Sequence, residues 1–119
     1  MSSHYNYANL LKERGDVDEA AEHYEEALRL RPDHREAHNN YANLLNNRGD
    51  VDEADGHYNE ALRLRPDDPE VHYNYAGLLT KTGHPRKAKR HFEEAYRLDP
   101  LNPQIKEAFD RKAWKKGSA

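Results

Sequence analysis

Along the whole chain apolar residues return every three or four positions, the spacing of one face of an α-helix, and glycine or proline divides the stretches that carry them. This spacing predicts helices over 3–14, 18–31, 35–48, 52–65, 69–82, 86–98 and 103–115. The pattern also repeats. Shifted by 34 residues, His4-Tyr5-Asn6-Tyr7-Ala8-Asn9-Leu10-Leu11 falls on His38-Asn39-Asn40-Tyr41-Ala42-Asn43-Leu44-Leu45, and a second shift reaches His72-Tyr73-Asn74-Tyr75-Ala76-Gly77-Leu78-Leu79. Between 4–34 and 38–68 seven pairs differ (5/39, 12/46, 13/47, 21/55, 22/56, 25/59 and 34/68) and 24 of 31 are identical, whereas the third copy has diverged further.

The residues between the stretches say how each helix ends and the next begins. At Gly15-Asp16 and Gly49-Asp50 glycine can take the left-handed conformation that closes a helix, and aspartate can cap the following one. Glu19 and Glu53 stand three residues later, the spacing of a capping box. In the third copy His84-Pro85 replaces the aspartate, with proline at a first helical position that needs no N–H. Pro32, Pro66 and Pro100 stop each second helix, because proline cannot continue the hydrogen-bond ladder. The alanines mark close approach of helix backbones, and the aromatic at 24, 58 and 92 fills the space they leave. Past the last copy, Ile105, Ala108, Phe109 and Ala113 form one stripe on a closing helix, with Trp114 at its flank to cover the third copy.

Ala8, Ala42 and Ala76; Gly15, Gly49 and Gly83; Ala20, Ala54 and Ala88; Tyr24, Tyr58 and Phe92; Ala27, Ala61 and Ala95; and the three prolines together resemble the tetratricopeptide repeat over residues 1–102. His4, His38 and His72 depart from it, standing where the family often carries tryptophan or another large residue. The resemblance implies an all-α, right-handed superhelical solenoid of three helix-turn-helix repeats, 1–34, 35–68 and 69–102. A capping helix over 103–116 would complete a single domain of residues 1–116, leaving 117–119 as a tail. It also implies a protein–protein interaction module that takes an extended or helical segment of a partner in a concave groove. The candidate peptide-binding residues are Tyr5, Asn6, Asn9, Asn39, Asn40, Asn43, Asn47, Tyr73 and Asn74. An asparagine amide can meet both the C=O and the N–H of a peptide bond, and Asn6, Asn40 and Asn74, one per repeat, resemble the asparagine ladder in the tetratricopeptide region of O-linked N-acetylglucosamine transferases. No glycosyltransferase domain accompanies it. The clamp that other members use for the C-terminal carboxylate of Hsp70 and Hsp90 is not expected. Asn9 and Asn40 match it, but Tyr5, Glu70 and Asn74 stand where its cations would be.

Composition narrows the function. With 35% hydrophobic and 34% charged residues and a mean hydropathy of -1.29 the chain could pass for a disordered one, and only the periodicity says otherwise. Nineteen basic against 22 acidic residues give a net charge of -3 and no bias toward nucleic acid. The lack of cysteine and of any long apolar run points to a cytoplasmic protein with no membrane segment. Six of the eight histidines are two repeat positions written three times, so structural histidine, without a metal, is the reading. Carboxylates cluster at helix starts, where the helix dipole favours them. No nucleophile with its base, phosphate loop or ligand spacing accompanies them, which argues against an enzyme and against a cofactor. The alternative is a scaffold or designed repeat unit with no specific ligand, able to self-associate through its ends.

Overall fold

The computed structural model describes residues 3–117, and side chains through 115. Its elements are α1 (Ser3–Arg14), α2 (Val17–Leu30), α3 (Arg35–Arg48), α4 (Val51–Leu64), α5 (Pro69–Lys81), α6 (Pro85–Leu98), α7 (Pro103–Asp110) and a 3-10 turn (Ala113–Gly117). By packing the chain divides into two compact units, Met1–Leu64 and Arg65–Ala119. The first holds the hairpins α1–α2 and α3–α4, and the second holds α5–α6 with the closing segment. No strand occurs among the described residues.

Each hairpin closes on the residues the periodicity picks out. Ala8, Ala20 and Ala27 are buried around Tyr24, Ala42, Ala54 and Ala61 around Tyr58, and Ala76, Ala88 and Ala95 around Phe92. Small side chains let the two backbones approach, and one large ring fills the gap, which keeps the interior at the density a core requires. Successive hairpins of the first unit join through a stack of Tyr24 on Tyr41, with ring centroids 5.7 Å apart. The Tyr41 hydroxyl donates to Glu25 Oε2 at 2.6 Å.

All three first helices stop in the same way. Gly15, Gly49 and Gly83 have φ of 86°, 89° and 82°, and the next N–H reaches back five residues: Asp16 to Leu11 O, Asp50 to Leu45 O and His84 to Leu79 O, at 2.8–2.9 Å. Two orphan carbonyls are thereby satisfied at each end. The helix starts differ more than the spacing predicts. Asp16 makes no side-chain capping bond, so α2 begins at Val17 on its acidic first turn, Asp18 and Glu19. Real side-chain caps sit on the first helices. His34 Nδ1 accepts from Ala37 N at 3.3 Å, Asp68 accepts from Glu70 N and Val71 N, and Asn102 accepts from Gln104 N and Ile105 N. Burial, with Arg31 nearby, holds His34 below the ordinary imidazole range and keeps it in the neutral form that can accept.

The closing segment is not one helix over 103–115. It breaks after Asp110, where Lys112 takes a left-handed φ of 52°, and resumes as the 3-10 turn from Ala113. The break lifts Ala113 out of the stripe and swings Trp114 inward. That ring is buried, with Phe92 at 6.1 Å and Phe109 at 5.9 Å, while Lys89 Nζ lies 5.7 Å over its face. Ile105 and Ala108 are buried as the stripe requires, and Phe109 stacks on Tyr96 at 4.7 Å.

Two predictions follow from these contacts. Gly49→Ala should destabilise by about 1–2 kcal/mol, because an L side chain at positive φ is strained, whereas Gly56→Ala in the middle of α4 should stabilise by about 0.5–1 kcal/mol. A Cβ at either site meets nothing within 4 Å, so backbone conformation alone sets the opposite signs, which urea denaturation will read. Trp114→Ala should cost about 3–5 kcal/mol of the same unfolding free energy. A loss under 1 kcal/mol would mean that the ring does not anchor the closing segment.

Candidate functional site

The nine candidate residues fall on the first helix of each hairpin: Tyr5, Asn6 and Asn9 on α1, Asn39, Asn40, Asn43 and Asn47 on α3, and Tyr73 and Asn74 on α5. They are not equivalent. Asn6 and Asn47 are exposed, whereas Asn39 is only 5% exposed and has little to offer a ligand. Tyr5, Asn9, Asn40, Asn43, Tyr73 and Asn74 are half-buried, the condition of side chains that are positioned yet reachable.

In the first unit three of them form one network. Asn40 Nδ2 donates to Tyr5 Oη at 2.9 Å and to Asn9 Oδ1 at 3.2 Å, and the Tyr24 hydroxyl donates to the same Asn9 oxygen. Both N–H groups of Asn40 are thus used inside the fold. The Asn40 carbonyl oxygen and the Asn9 amide nitrogen, an acceptor and a donor on neighbouring half-buried side chains, are not used in this network. Burial raises the Tyr24 phenol above its ordinary range, so it stays a neutral donor. The Tyr5 ring is held 4.5 Å from His34 and 6.3 Å from Tyr24.

The same device recurs in the second hairpin, where the Tyr58 hydroxyl donates to Asn43 Oδ1. It is missing from the third, and both halves are missing together. Phe92 replaces the tyrosine and Gly77 replaces the asparagine. A buried hydroxyl without its amide, or the amide without its hydroxyl, would leave a polar group unpaired, so losing both is the consistent change. Sequence reasoning treated Tyr24 and Tyr58 only as core. The paired substitution at 77 and 92 was the signal that could have tied them to the site.

The second unit holds a recess of about 420 Å³ at the start of α5 and α7, walled by Glu70, Tyr73, Asn74, Asp99, Asn102 and Gln104 among others. Tyr73 is set edge-on to Phe92 at 5.9 Å. Asp99 and Asn102 come from the α6–α7 connection at the end of the third repeat, and Gln104 from the first turn of α7; none of them is on the first-helix face from which the candidates were drawn. Elsewhere the histidines of the two repeat positions pair within each hairpin: His4 with His23, His38 with His57 and His72 with His91, Nδ1 to Nδ1 at 2.9–3.0 Å. Among the described residues no three or more histidine, aspartate or glutamate side chains are grouped to hold a metal ion, and no helix is long and apolar enough to cross a membrane.

Comparison with known proteins agrees with this geometry. Two models described as tetratricopeptide repeat match residues 5–69 and 48–108. Among solved structures, the chain is similar to the first TPR of Spaghetti (RPAP3) bound to the HSP90 peptide SRMEEVD, with a TM-score of 0.86 and 17% identity over 92% of this chain and 87% of that one. At that identity the likeness is one of fold. No protein of curated function matches the sequence.

The third hairpin offers a direct check of the tyrosine–asparagine device. Phe92→Tyr alone should cost about 1–3 kcal/mol by burying an unpaired hydroxyl. Adding Gly77→Asn, where a Cβ meets nothing within 4 Å, should recover stability, with a favourable coupling of about 0.5–1.5 kcal/mol in a double-mutant cycle. Strict additivity of the two changes would mean that hydroxyl and amide do not depend on one another.

Proposed function

The chain belongs to the tetratricopeptide repeat family, and from that premise we propose that it binds an extended segment of a partner protein through the asparagine- and tyrosine-bearing faces of its first helices. The observation that carries this reading is the Asn9–Asn40 pair. The pair leaves an acceptor and a donor outside its own network, the two groups that the N–H and C=O of a peptide bond require, and Tyr5 and Tyr24 hold both amides in place. Asn6 and Asn74 occupy the corresponding position in the other two repeats, and together the three resemble the ladder of O-linked N-acetylglucosamine transferases. The Spaghetti domain, alike in fold, is bound to a peptide.

The chemistry favours backbone recognition over capture of an acidic chain end. Tyr5 brings a hydroxyl where a carboxylate clamp needs an ammonium. Asp68, Glu70 and Asp99 outnumber Arg65, itself paired with Asp67, in the recess beside Asn74, so a partner carboxylate there would face a net like charge. Among the described residues the candidate set contains no cation. Side-chain tolerance with a demand for free backbone amides is the expected specificity. A second reading, self-association at the start of the chain, rests on Tyr7 and Leu10. These are 43% and 44% exposed, where their repeat equivalents Tyr41 and Leu44 are buried.

A peptide selected from a random library on the wild-type protein supplies the ligand for the test. Replacing Asn6, Asn40 and Asn74 with alanine should weaken its binding more than tenfold, since each lost hydrogen bond costs about 0.5–1.5 kcal/mol and about 1.4 kcal/mol is a factor of ten. N-methylation of the peptide backbone should do the same, while changes of its side chains should matter little. Equal affinities in calorimetric titrations, with both proteins folded by circular dichroism, would place binding elsewhere.

A further inference from the structure

The histidine pairs of the second and third hairpins do more than fill space, because with both rings neutral their bonding leaves one arrangement of protons. His38 Nε2 lies 2.7 Å from Pro32 O, and His72 Nε2 lies 2.7 Å from Pro66 O. A carbonyl oxygen only accepts, so each of these nitrogens carries the ring proton. The Nδ1 of the same neutral ring is then a bare lone pair. It faces Nδ1 of His57 or His91 at 2.9 Å, and that nitrogen must be the donor. The inner imidazole is therefore a relay, anchored at one end to the loop before its own helix and at the other to the second helix of the hairpin. His4 and His23 repeat the facing pair at 3.0 Å in the first hairpin.

One added proton can sit on the inner Nδ1 and donate to the outer ring, if that ring moves its own proton to Nε2, at the cost of a cation in a half-buried site. A second proton sets two N–H groups face to face, and the inner ring cannot turn away without giving up its carbonyl. The groups around the pairs do not reverse this. His57 lies against the Tyr41 ring at 4.8 Å, with His34 near its partner, Glu25 from α2 and Glu60 from α4. His91 lies against the Tyr75 ring at 4.8 Å, with Lys87, Arg90 and Glu94 around it, and Lys87 also donates to the Tyr75 hydroxyl. His23 meets Tyr7 at 4.7 Å, with Glu26 beside the pair. The glutamates could favour a cation, but Glu26, Glu60 and Glu94 each accept from the arginine three residues on.

We propose that the histidine pairs of the second and third repeats are acid-labile clasps, which hold the two helices of the hairpin together while both rings are neutral and release them when both are protonated. Burial, with the partner histidine next, holds His57 below its ordinary value of 6.5, and the same causes with Lys87 and Arg90 bring His91 to about 4. A depressed folded value means that the stabilisation is complete above the ordinary imidazole value and is lost as pH falls toward the depressed one. The window is therefore pH 6.5 down to about 4. Its upper part lies above the carboxylates, since Glu26, Glu60 and Glu94 are held below 4.5 by their arginines.

The test compares thermal melts between pH 7 and pH 5. Both proteins carry His34→Asn, which keeps a capping oxygen and removes the other depressed imidazole. One of them also carries His57→Gln and His91→Gln. Glutamine can still donate an N–H to the inner ring but cannot gain a proton. The parent should lose at least about 5 °C over that range, and the glutamine variant less than half as much; parallel losses would overturn the proposal. Should the variant not fold, nitrogen-15 spectra of the wild type decide instead. Protons on His38 Nε2 and His57 Nδ1, with His57 and His91 still neutral well below pH 6.5, support the clasp. The opposite tautomers, or ordinary titration of both rings, would sink it.

Discussion

One buried ring per hairpin, held among alanines, is the constraint on which the remaining structure depends. With Ala8, Ala20 and Ala27 packed to zero or 1% exposure, the backbones of α1 and α2 are near enough that only one large side chain fits between them, and Tyr24 is that side chain. The same exclusion acts at Tyr58 and Phe92. Enlarging an alanine would overpack the seam, and shrinking the ring would leave a cavity, so each repeat tolerates little change at these positions. This rigidity is what lets a chain with so low a mean hydropathy keep a defined fold.

The ring also links the core to the surface. Where it is tyrosine, its hydroxyl reaches through the hairpin to the asparagine on the first helix, at Asn9 and Asn43. Core packing thereby fixes the orientation of an amide at the candidate binding face. In the third repeat Phe92 and Gly77 dissolve that link, and Tyr73, edge-on to the phenylalanine, stands over the recess instead. The repeats are thus alike in architecture and unlike in the chemistry they present. Two offer oriented amides, and the third offers an acidic, aromatic hollow.

Charge plays a lesser part in cohesion. The Glu26–Arg29, Glu60–Arg63 and Glu94–Arg97 pairs recur at one position on each second helix, but their arginines are about two-thirds exposed. Exposed pairs of this kind add little to stability, because water screens the charges and ordering two long side chains costs entropy. Their greater effect is on their neighbours. By sharing the glutamates they weaken the counter-charge that Glu60 and Glu94 offer His57 and His91, where burial outweighs the nearby carboxylates.

Helix number, hairpin pairing, glycine stops and the buried alanine–aromatic set were legible in the amino-acid sequence, because each depends on residues within about five positions or on a period that copies itself. Gly15, Gly49 and Gly83 ended their helices as their backbone freedom requires, and the one-residue shifts at α2, α4 and α6 lie within the reach of that reasoning. Three features needed the tertiary structure. Asn40 commits both its N–H groups to Tyr5 and Asn9, 35 and 31 residues away, so an amide read as free for a ligand is in part structural. Histidines 19 residues apart become one proton-sharing unit. The turn at Lys112, which no glycine or proline announces, carries Trp114 against Phe92. A hydrogen bond between side chains depends on which atoms packing brings within 3 Å or so, and the third repeat can bury an indole only by bending the segment that carries it. Local preference therefore set the helices, and the packing of one helix on another decided what their polar side chains became.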